Sequence, residues 1–427
     1  MILLYHILSL ILAFFVVPFF AIYSLVTNNK QRGLWHHFGL IPSPDKSRSP
    51  SQKTLWVFAL SLGEVTAAAP VLKLIHEERP DLRIVVSVTT DSGYDGALQK
   101  IPFADQIIFH PLDCLPFSLI ALDRIRPDAF VVTDTGFWPG LLDLLAWHDT
   151  PSLLFNGRIS ERSRRRYQLL EIFSKQLFNR FSVLCMQSQQ GSDTLQSLGV
   201  DPSRLRVIGD PKFDALVEVP EEERKKIRAD LGISKASRVW VAGSTHSGEE
   251  EIILDVYQSL KKKFDDLVLV LAPRRLERVG AVESLLRTRH ILFTKRTAIG
   301  ETSAKQVILL DTMGELGKVY SIGSAAFVGK SLLPPGGGHS LMEPLAQGTP
   351  VVHGPHIENI RQVAEELKRH ELAFPVNDAD EMETVMTSLL ENASHKAPLP
   401  ERASAWIKTH QGASKRMADI ILETLKD

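Results

Sequence analysis

Two tandem α/β domains, each a mostly parallel sheet with crossover helices, are the fold class this sequence predicts, and three observations predict it. The chain has 427 residues, 44% of them hydrophobic, which suits two domains of about 100–200 residues with a sizeable core in each. Short apolar runs, too brief for packed helices, alternate along the chain with amphipathic or polar stretches suited to helices. A charged stretch from Glu218 to Ser237, containing Pro-Glu-Glu-Glu-Arg-Lys-Lys, interrupts that alternation once and marks a domain boundary with a surface helix in it.

The chain opens with Ile2 to Val26, almost wholly apolar and long enough to span a bilayer, for which roughly 20 apolar residues suffice. No positive region precedes it and no small-residue cleavage site follows, so an N-terminal membrane-anchor helix over 1–28 is expected rather than a signal peptide. Lys30, Arg32 and His36-His37 come next, which by the positive-inside tendency puts the rest of the chain in the cytoplasm. Pro18 leaves open a kinked helix that lies in the interface or packs on the protein. A Pro- and Ser-rich linker is expected within 29–53.

The first domain, 54–217, starts with the apolar strand Leu55–Leu60, which runs through Ser61-Leu62-Gly63-Glu64 into an Ala-rich helix. Further strands are expected at Arg83–Thr89, Gln106–His110, Ala129–Thr133, Pro151–Phe155 and Ser182–Met186. After the linker 218–237, the second domain, 238–427, carries strands at Val239–Gly243, Leu267–Ala272, Val307–Leu310, Ala325–Gly329 and Pro350–His353 and ends in an amphipathic helix over Ala403 to Leu425.

The net charge of −1 gives no general attraction to nucleic acid. Cys114 and Cys185 are isolated, with no paired-histidine spacing elsewhere, so neither a disulfide framework nor a zinc site is indicated, and the composition fits a reducing cytoplasm.

Ligands of open parallel sheets sit beyond the strand carboxyl ends. Glu64 is there, a candidate general base, although an acidic residue in the first turn of a helix also serves the macrodipole. Asp134, in Thr133-Asp134-Thr135-Gly136-Phe137-Trp138-Pro139, ends another strand as a catalytic carboxylate or a helix cap. Lys212 could oppose an anionic leaving group or be a solvated lysine. Arg158, Arg162, Arg164, Arg165 and Arg166 form a basic cluster suited to an anionic lipid head group or to a solvated helix face, and no aromatic platform accompanies them to favour nucleic acid. In the second domain a buried strand leads through Lys330-Ser331 into Gly336-Gly337-Gly338-His339 and a helix beginning near Ser340. That pattern suggests a nest of N–H groups for phosphate, with Glu343 one turn in and facing a ribose, or else a plain glycine-rich loop. Arg274 and Arg275 follow a strand and suit a phosphate, while Asp311 or Thr312 has the look of a helix cap. Three such edges on one side of a sheet argue for a nucleotide site.

Taken together, Ser61-Leu62-Gly63-Glu64, the run Asn156 to Ser163, Gly243-Ser244-Thr245-His246-Ser247-Gly248-Glu249-Glu250, Asp311 to Leu316 and His339 to Pro344 strongly resemble the Kdo transferases, which add 3-deoxy-D-manno-octulosonic acid (Kdo) to a lipid A precursor. The resemblance runs from the N-terminal segment to beyond Asn359. It implies an α/β fold of GT-B type, with two Rossmann-like domains facing across a cleft, and an inverting glycosyltransferase of lipopolysaccharide biosynthesis. CMP-Kdo would be the donor, an anionic lipid A precursor at the membrane surface the acceptor, and neither metal nor cofactor is expected.

Glu64 then matches the family's base, and Asp134 and Lys212 its transition-state stabilisers. Donor contacts fall at Pro273, Arg274, Met313, Gly314, Glu315, Ser340, Leu341, Met342 and Glu343, and Arg158, Arg162 and Arg165 are candidates for the acceptor. The family usually has Glu-Thr-Glu-Leu-Trp-Pro where this chain has Asp134-Thr135-Gly136-Phe137-Trp138-Pro139. Ser340 replaces a usual Asn, Arg275 a usual His and Asp210 a usual Asn or Ser. These departures keep open a divergent paralogue, a nucleotide-sugar epimerase on the same scaffold and a non-catalytic nucleotide-sugar-binding protein.

Overall fold

The computed structural model describes residues 2–27, 32–42, 52–134, 136–159, 161–300, 306–391 and 398–426, and it divides into two units, Met1–Ala215 with His410–Asp427, and Leu216–Thr409. Most of the expected linker 29–53 lies outside the described residues.

The first unit holds seven parallel strands, β1 (Thr54–Phe58), β2 (Arg83–Val88), β3 (Gln106–Phe109), β4 (Ala129–Thr133), β5 (Ser152–Gly157), β6 (Val183–Met186) and β7 (Leu205–Val207), in the order β3-β2-β1-β4-β5-β6-β7. The central strands are buried along their whole length because helices cover both faces. Alternation along β1 sends Leu55 and Val57 into one core and Trp56 and Phe58 into the other. The second unit repeats the plan with β8 (Val239–Thr245), β9 (Val268–Pro273), β10 (Phe293–Lys295), β11 (Val307–Leu309), β12 (Ala325–Val328), β13 (Val351–His353) and β14 (Ala373–Pro375), in the order β10-β11-β9-β8-β12-β13-β14.

All eleven expected strands are present. The three that were not expected, β7, β10 and β14, are edge strands of three residues each. An edge strand has one paired side and one exposed side, so Phe293-Thr294-Lys295 carries no apolar run to betray it.

The final helix, Ala413–Thr424, does not belong to the second domain as the boundary at 238–427 expected, but to the first unit. Its apolar stripe Met417, Ala418, Ile421 and Leu422 completes the core beside Leu55 and Val57. Asp214 accepts from Gly412 N and Ser414 N at 2.5 and 2.6 Å, and the Arg416 guanidinium donates to Ile208 O at 2.7 Å. The expected linker 218–237 contains the helix Glu221–Asp230, which is part of the second unit, where Lys318 pairs with Glu223 at 2.7 Å.

The apolar N-terminal segment forms one helix, Ile2–Thr27, containing Pro18. Among the described residues no helix is long and apolar enough to cross a membrane, which corrects the expected spanning anchor. Polar groups of its first turns face protein instead: Tyr5 Oη donates to Asp113 at 2.6 Å, and His6 Nε2 lies 3.2 Å from Asp143, which Arg180 also holds at 2.6 Å. Asp113 additionally accepts from Gly140 N and Leu141 N, fixing the start of the helix Pro139–Trp147.

In the second unit one buried side chain sets the shape of two loops. Glu249, 1% exposed, opens the helix Glu249–Lys263 and accepts from four backbone N–H groups. These are His246 at 2.9 Å on its own loop, and Lys330, Ser331 and Leu332 at 2.8, 2.9 and 3.0 Å on the turn after β12. Gly329 allows that approach, since a Cβ there would lie 2.4 Å from Ser244 O and 2.8 Å from the Glu249 carboxylate.

Replacing Ile421 by Ala should lower the unfolding free energy of the first unit by about 2–5 kcal/mol in a urea titration, the usual cost of emptying a packed core position. Replacing Glu249 by Ala orphans two buried donors, Ser331 N and Leu332 N, at about 1–3 kcal/mol each before relaxation, and two part-buried ones, His246 N and Lys330 N, so the second unit should lose its cooperative thermal transition, which calorimetry reads directly.

Candidate functional site

In a doubly wound sheet the loops leave in opposite directions where the strand order reverses, and a crevice opens there at the carboxyl ends. In the first unit that point lies between β1 and β4, which are neighbours although two strands separate them in sequence. Both first-unit carboxylates picked out in the sequence follow these two strands.

Ser61 caps the helix Leu62–Glu78 that follows β1, and Glu64 at its third position accepts from Ser61 N in a capping box. The helix-start reading of Glu64 is therefore true, and it leaves the carboxyl group at the crevice. Burial raises the Glu64 carboxyl above the ordinary carboxylate range, the Ser61 hydrogen bonds work against that shift, and the charges of Asp134 and Arg158 are close enough to act on it.

Asp134 follows β4 with φ +64°, a left-handed conformation rarely taken by a residue with a side chain, and its N–H donates to Phe155 O at 2.8 Å. Arg158, exposed beyond β5, brings Nη2 within 3.6 Å of Asp134 Oδ2. Glu64, Asp134 and Arg158 thus form one group. Gly136 packs on the floor of the same crevice, where a Cβ would come 2.9 Å from the Phe58 ring. Phe58 lies 4.1 Å from the ring of His110, on which Trp138 stacks at 5.2 Å. Complete burial holds His110 well below the usual histidine range.

Lys212 stands exposed on the turn Pro211–Phe213, its N–H bonded to Asp210 at 2.9 Å. Arg165 is exposed on the helix Glu161–Leu169, and the Arg162 side chain lies outside the described residues, as does Thr135. Asn156, placed by the sequence in the run at this strand end but given no role, is the penultimate residue of β5, at φ +62° with its Oδ1 held by Gln187 at 2.6 Å.

In the second unit the strand order reverses between β8 and β12. His246 follows β8, and its Nε2 lies 3.1 Å from Nε2 of His339, with the two rings stacked. Arg274 follows β9, at the buried Pro273, and donates its N–H to Thr245 O at 3.0 Å. Its charge acts on both His339 and Glu343. The structure therefore gathers Arg274, His339 and Glu343, with half-buried Ser340 and Met342 and buried Leu341 between them.

Two details of the expected phosphate nest are corrected. Gly337 N and Gly338 N donate to His356 O and Lys330 O at 3.0 and 2.7 Å, so they are not open to a ligand. The glycines serve close packing instead, since a Cβ on Gly336 would lie 2.1 Å from His356 Cβ. The helix begins at Met342 and has five residues.

Asp311 is not a helix cap either, because it accepts from the N–H and hydroxyl of Thr297 at 3.0 and 2.5 Å. Met313 is exposed beside Gly314 at φ +85°, and Glu315 pairs with Arg296 at 2.9 Å.

Sequence reading assigned no role to His246, Glu249 or Glu250. Glu250 is fully buried between Thr245 Oγ1 at 3.1 Å and Arg278 at 3.0 Å. Two adjacent carboxylates opening a helix directly after a buried strand were the available signal.

Comparison with known proteins follows the same two-unit plan. Residues 32–215 match the family described as 3-deoxy-D-manno-octulosonic-acid transferase (kdotransferase). The 3-deoxy-D-manno-octulosonic acid transferase of Haemophilus influenzae is 32% identical over 378 residues, 87% of each chain. A bifunctional glycosyltransferase/methyltransferase of Fusobacterium nucleatum is 32% identical over 347 residues, 79% of this chain, which spans about half of that protein, 53%. Among solved structures, a glycosyltransferase from Rickettsia africae shares the fold with a TM-score of 0.59 at 13% identity, covering 88% of this chain and 100% of its own. With a relative this similar along nearly its whole length, the chain belongs to the Kdo transferase family.

Proposed function

We propose that this chain is an inverting glycosyltransferase that moves Kdo from CMP-Kdo to an anionic lipid A precursor. The observation that carries the proposal is the group Glu64, Asp134 and Arg158 at the point where the first sheet reverses, in a chain of this family. Glu64 takes the proton of the acceptor hydroxyl as that oxygen attacks the anomeric carbon, on the face opposite the leaving group. The bond from that carbon to the phosphate oxygen breaks, and its electron pair leaves on CMP. A carboxyl group raised by burial is a stronger base than a solvated one, which suits this task.

Asp134, held by Arg158, puts negative charge where positive charge develops on the sugar, and Lys212 meets the charge of the departing phosphate. In the second unit Arg274 and Glu343, with Pro273, Met313, Gly314, Glu315, Ser340, Leu341 and Met342, hold the nucleotide sugar. We assign the leaving-group charge to these cations, and the reading calls on neither metal nor cofactor. Arg158, Arg162 and Arg165 receive the anionic head group of the acceptor.

The N-terminal helix carries exposed Leu3, Leu8, Leu12, Phe14 and Phe15. An apolar face of this kind favours the boundary between lipid head groups and acyl chains, and it would hold the chain on the cytoplasmic face of the inner membrane, where a lipid acceptor resides.

Incubation of the purified chain with CMP-Kdo and lipid A precursor should release CMP and yield a heavier lipid by mass spectrometry; absence of both rejects the proposal. Glu64→Gln should lower kcat by about 10²–10⁴-fold while donor affinity is kept. Because the Glu64 carboxyl is raised and must be ionised to act, kcat/KM should fall with decreasing pH along a limb above the ordinary glutamate value of about 4.3. An acid limb at or below that value removes Glu64 from the role.

A further inference from the structure

The contact between His246 and His339 has a consequence for how the second unit takes its ligand. Two ring nitrogens 3.1 Å apart need one proton between them, since two lone pairs or two N–H groups facing each other repel. The pair therefore exists either as two neutral rings or with a single added proton. Both rings stand at the reversal point of the second sheet, His246 after β8 and His339 on the loop that follows β12.

The charges that face the pair come from Arg274, Arg275, Arg278, Lys330 and Glu249. Arg278 is paired with Glu250, and the Glu249 oxygens are engaged by four backbone N–H groups. Arg274, Arg275 and Lys330 form no ion pair among the described residues. Glu343, its carboxyl raised by burial, stands near enough to Arg274 to feel its charge, and Arg275 and Lys330 still leave the site with an excess of cations held by no ion pair among the described residues. Burial and these cations hold both imidazoles below the usual histidine range, His339 down to about 4.

We propose that His246 and His339 form a proton-linked anion site, which takes up one proton when an anionic oxygen of the donor, phosphate or carboxylate, enters this crevice. The inference rests on the donor reading of the second unit. An anion placed among Arg274, Lys330 and the two rings cancels the repulsion that keeps the rings neutral and accepts a hydrogen bond from the added N–H. The sign follows from linkage: the liganded form binds more protons than the free form, so donor affinity rises as pH falls through the interval between the free and liganded pKa values.

Calorimetric titration of the full chain near pH 6, in two buffers of different ionisation enthalpy, counts the protons. Cytidine 5′-(methyl phosphate) serves as one probe, a diester with a phosphate that does not titrate near neutrality and no carboxylate, and CMP-Kdo without acceptor as the other. The expected result is uptake approaching one proton per ligand, with Kd weakening up to about tenfold for each unit of rising pH. Uptake with both probes assigns the phosphate as the anion, and uptake with CMP-Kdo alone assigns the carboxylate.

His339→Gln and His246→Gln should each bind the ligand without proton uptake and with a flat pH dependence. The wild-type titration decides the matter even where a variant fails to fold. Binding with no proton exchange overturns the inference and leaves the donor reading standing, as does uptake that persists in both Gln variants. Failure of both probes to bind overturns the donor reading and the inference with it.

Discussion

Glu249 is the constraint on which the second unit's site depends. The turn that leaves a buried parallel strand carries N–H groups that no neighbouring strand can satisfy, and they must find acceptors nearby. The turn after β12 finds them in one carboxylate delivered by the helix that follows β8, and the same carboxylate closes its own loop through His246 N. Two loops far apart in sequence are thereby fixed to one another. His246 and His339 can meet at 3.1 Å because the loops that carry them have no freedom to separate.

The first unit uses the same topology with a looser fastening. There the acidic residue in the first turn after β1 is Glu64, which among the described residues hydrogen-bonds to Ser61 only and stands beside a charged pair, Asp134 and Arg158. A carboxylate saturated by four donors is a structural part; one bonded only to the residue that caps its helix, with a raised affinity for protons, is suited to proton transfer. This contrast between Glu249 and Glu64 follows from what each carboxyl group touches, since both occupy the opening turn of the helix that follows a strand at the reversal point of a parallel sheet.

Much of this was legible in the sequence. Buried parallel strands are continuous apolar runs, so the interior strands of both sheets could be located, and the strand ends then pointed to Glu64, Asp134 and Arg274. Edge strands such as Phe293–Lys295 have no such signature. The closing helix could be recognised as amphipathic, but not the sheet its stripe of Met417, Ile421 and Leu422 would complete, because periodicity reports a face and not its partner. The glycine run misled for a related reason. Glycine marks backbone that comes close to something, and at Gly336 to Gly338 that something is the chain itself around His356 to Ile360 rather than a phosphate. For the apolar N-terminal helix hydropathy left a span and a helix packed on the protein both open, because it does not register that Tyr5 and His6 meet acceptors on the first unit.

The central claim is that the nucleotide part of the donor sits at the reversal point of the second sheet. A structure of the full chain with cytidine 5′-monophosphate bound tests it most directly. The account predicts the phosphate beside Arg274 and the His246–His339 pair, beyond the carboxyl ends of β8 and β12. Nucleotide bound at the opposite, amino-terminal ends of these strands, or against the edge strands β10 or β14, would contradict it.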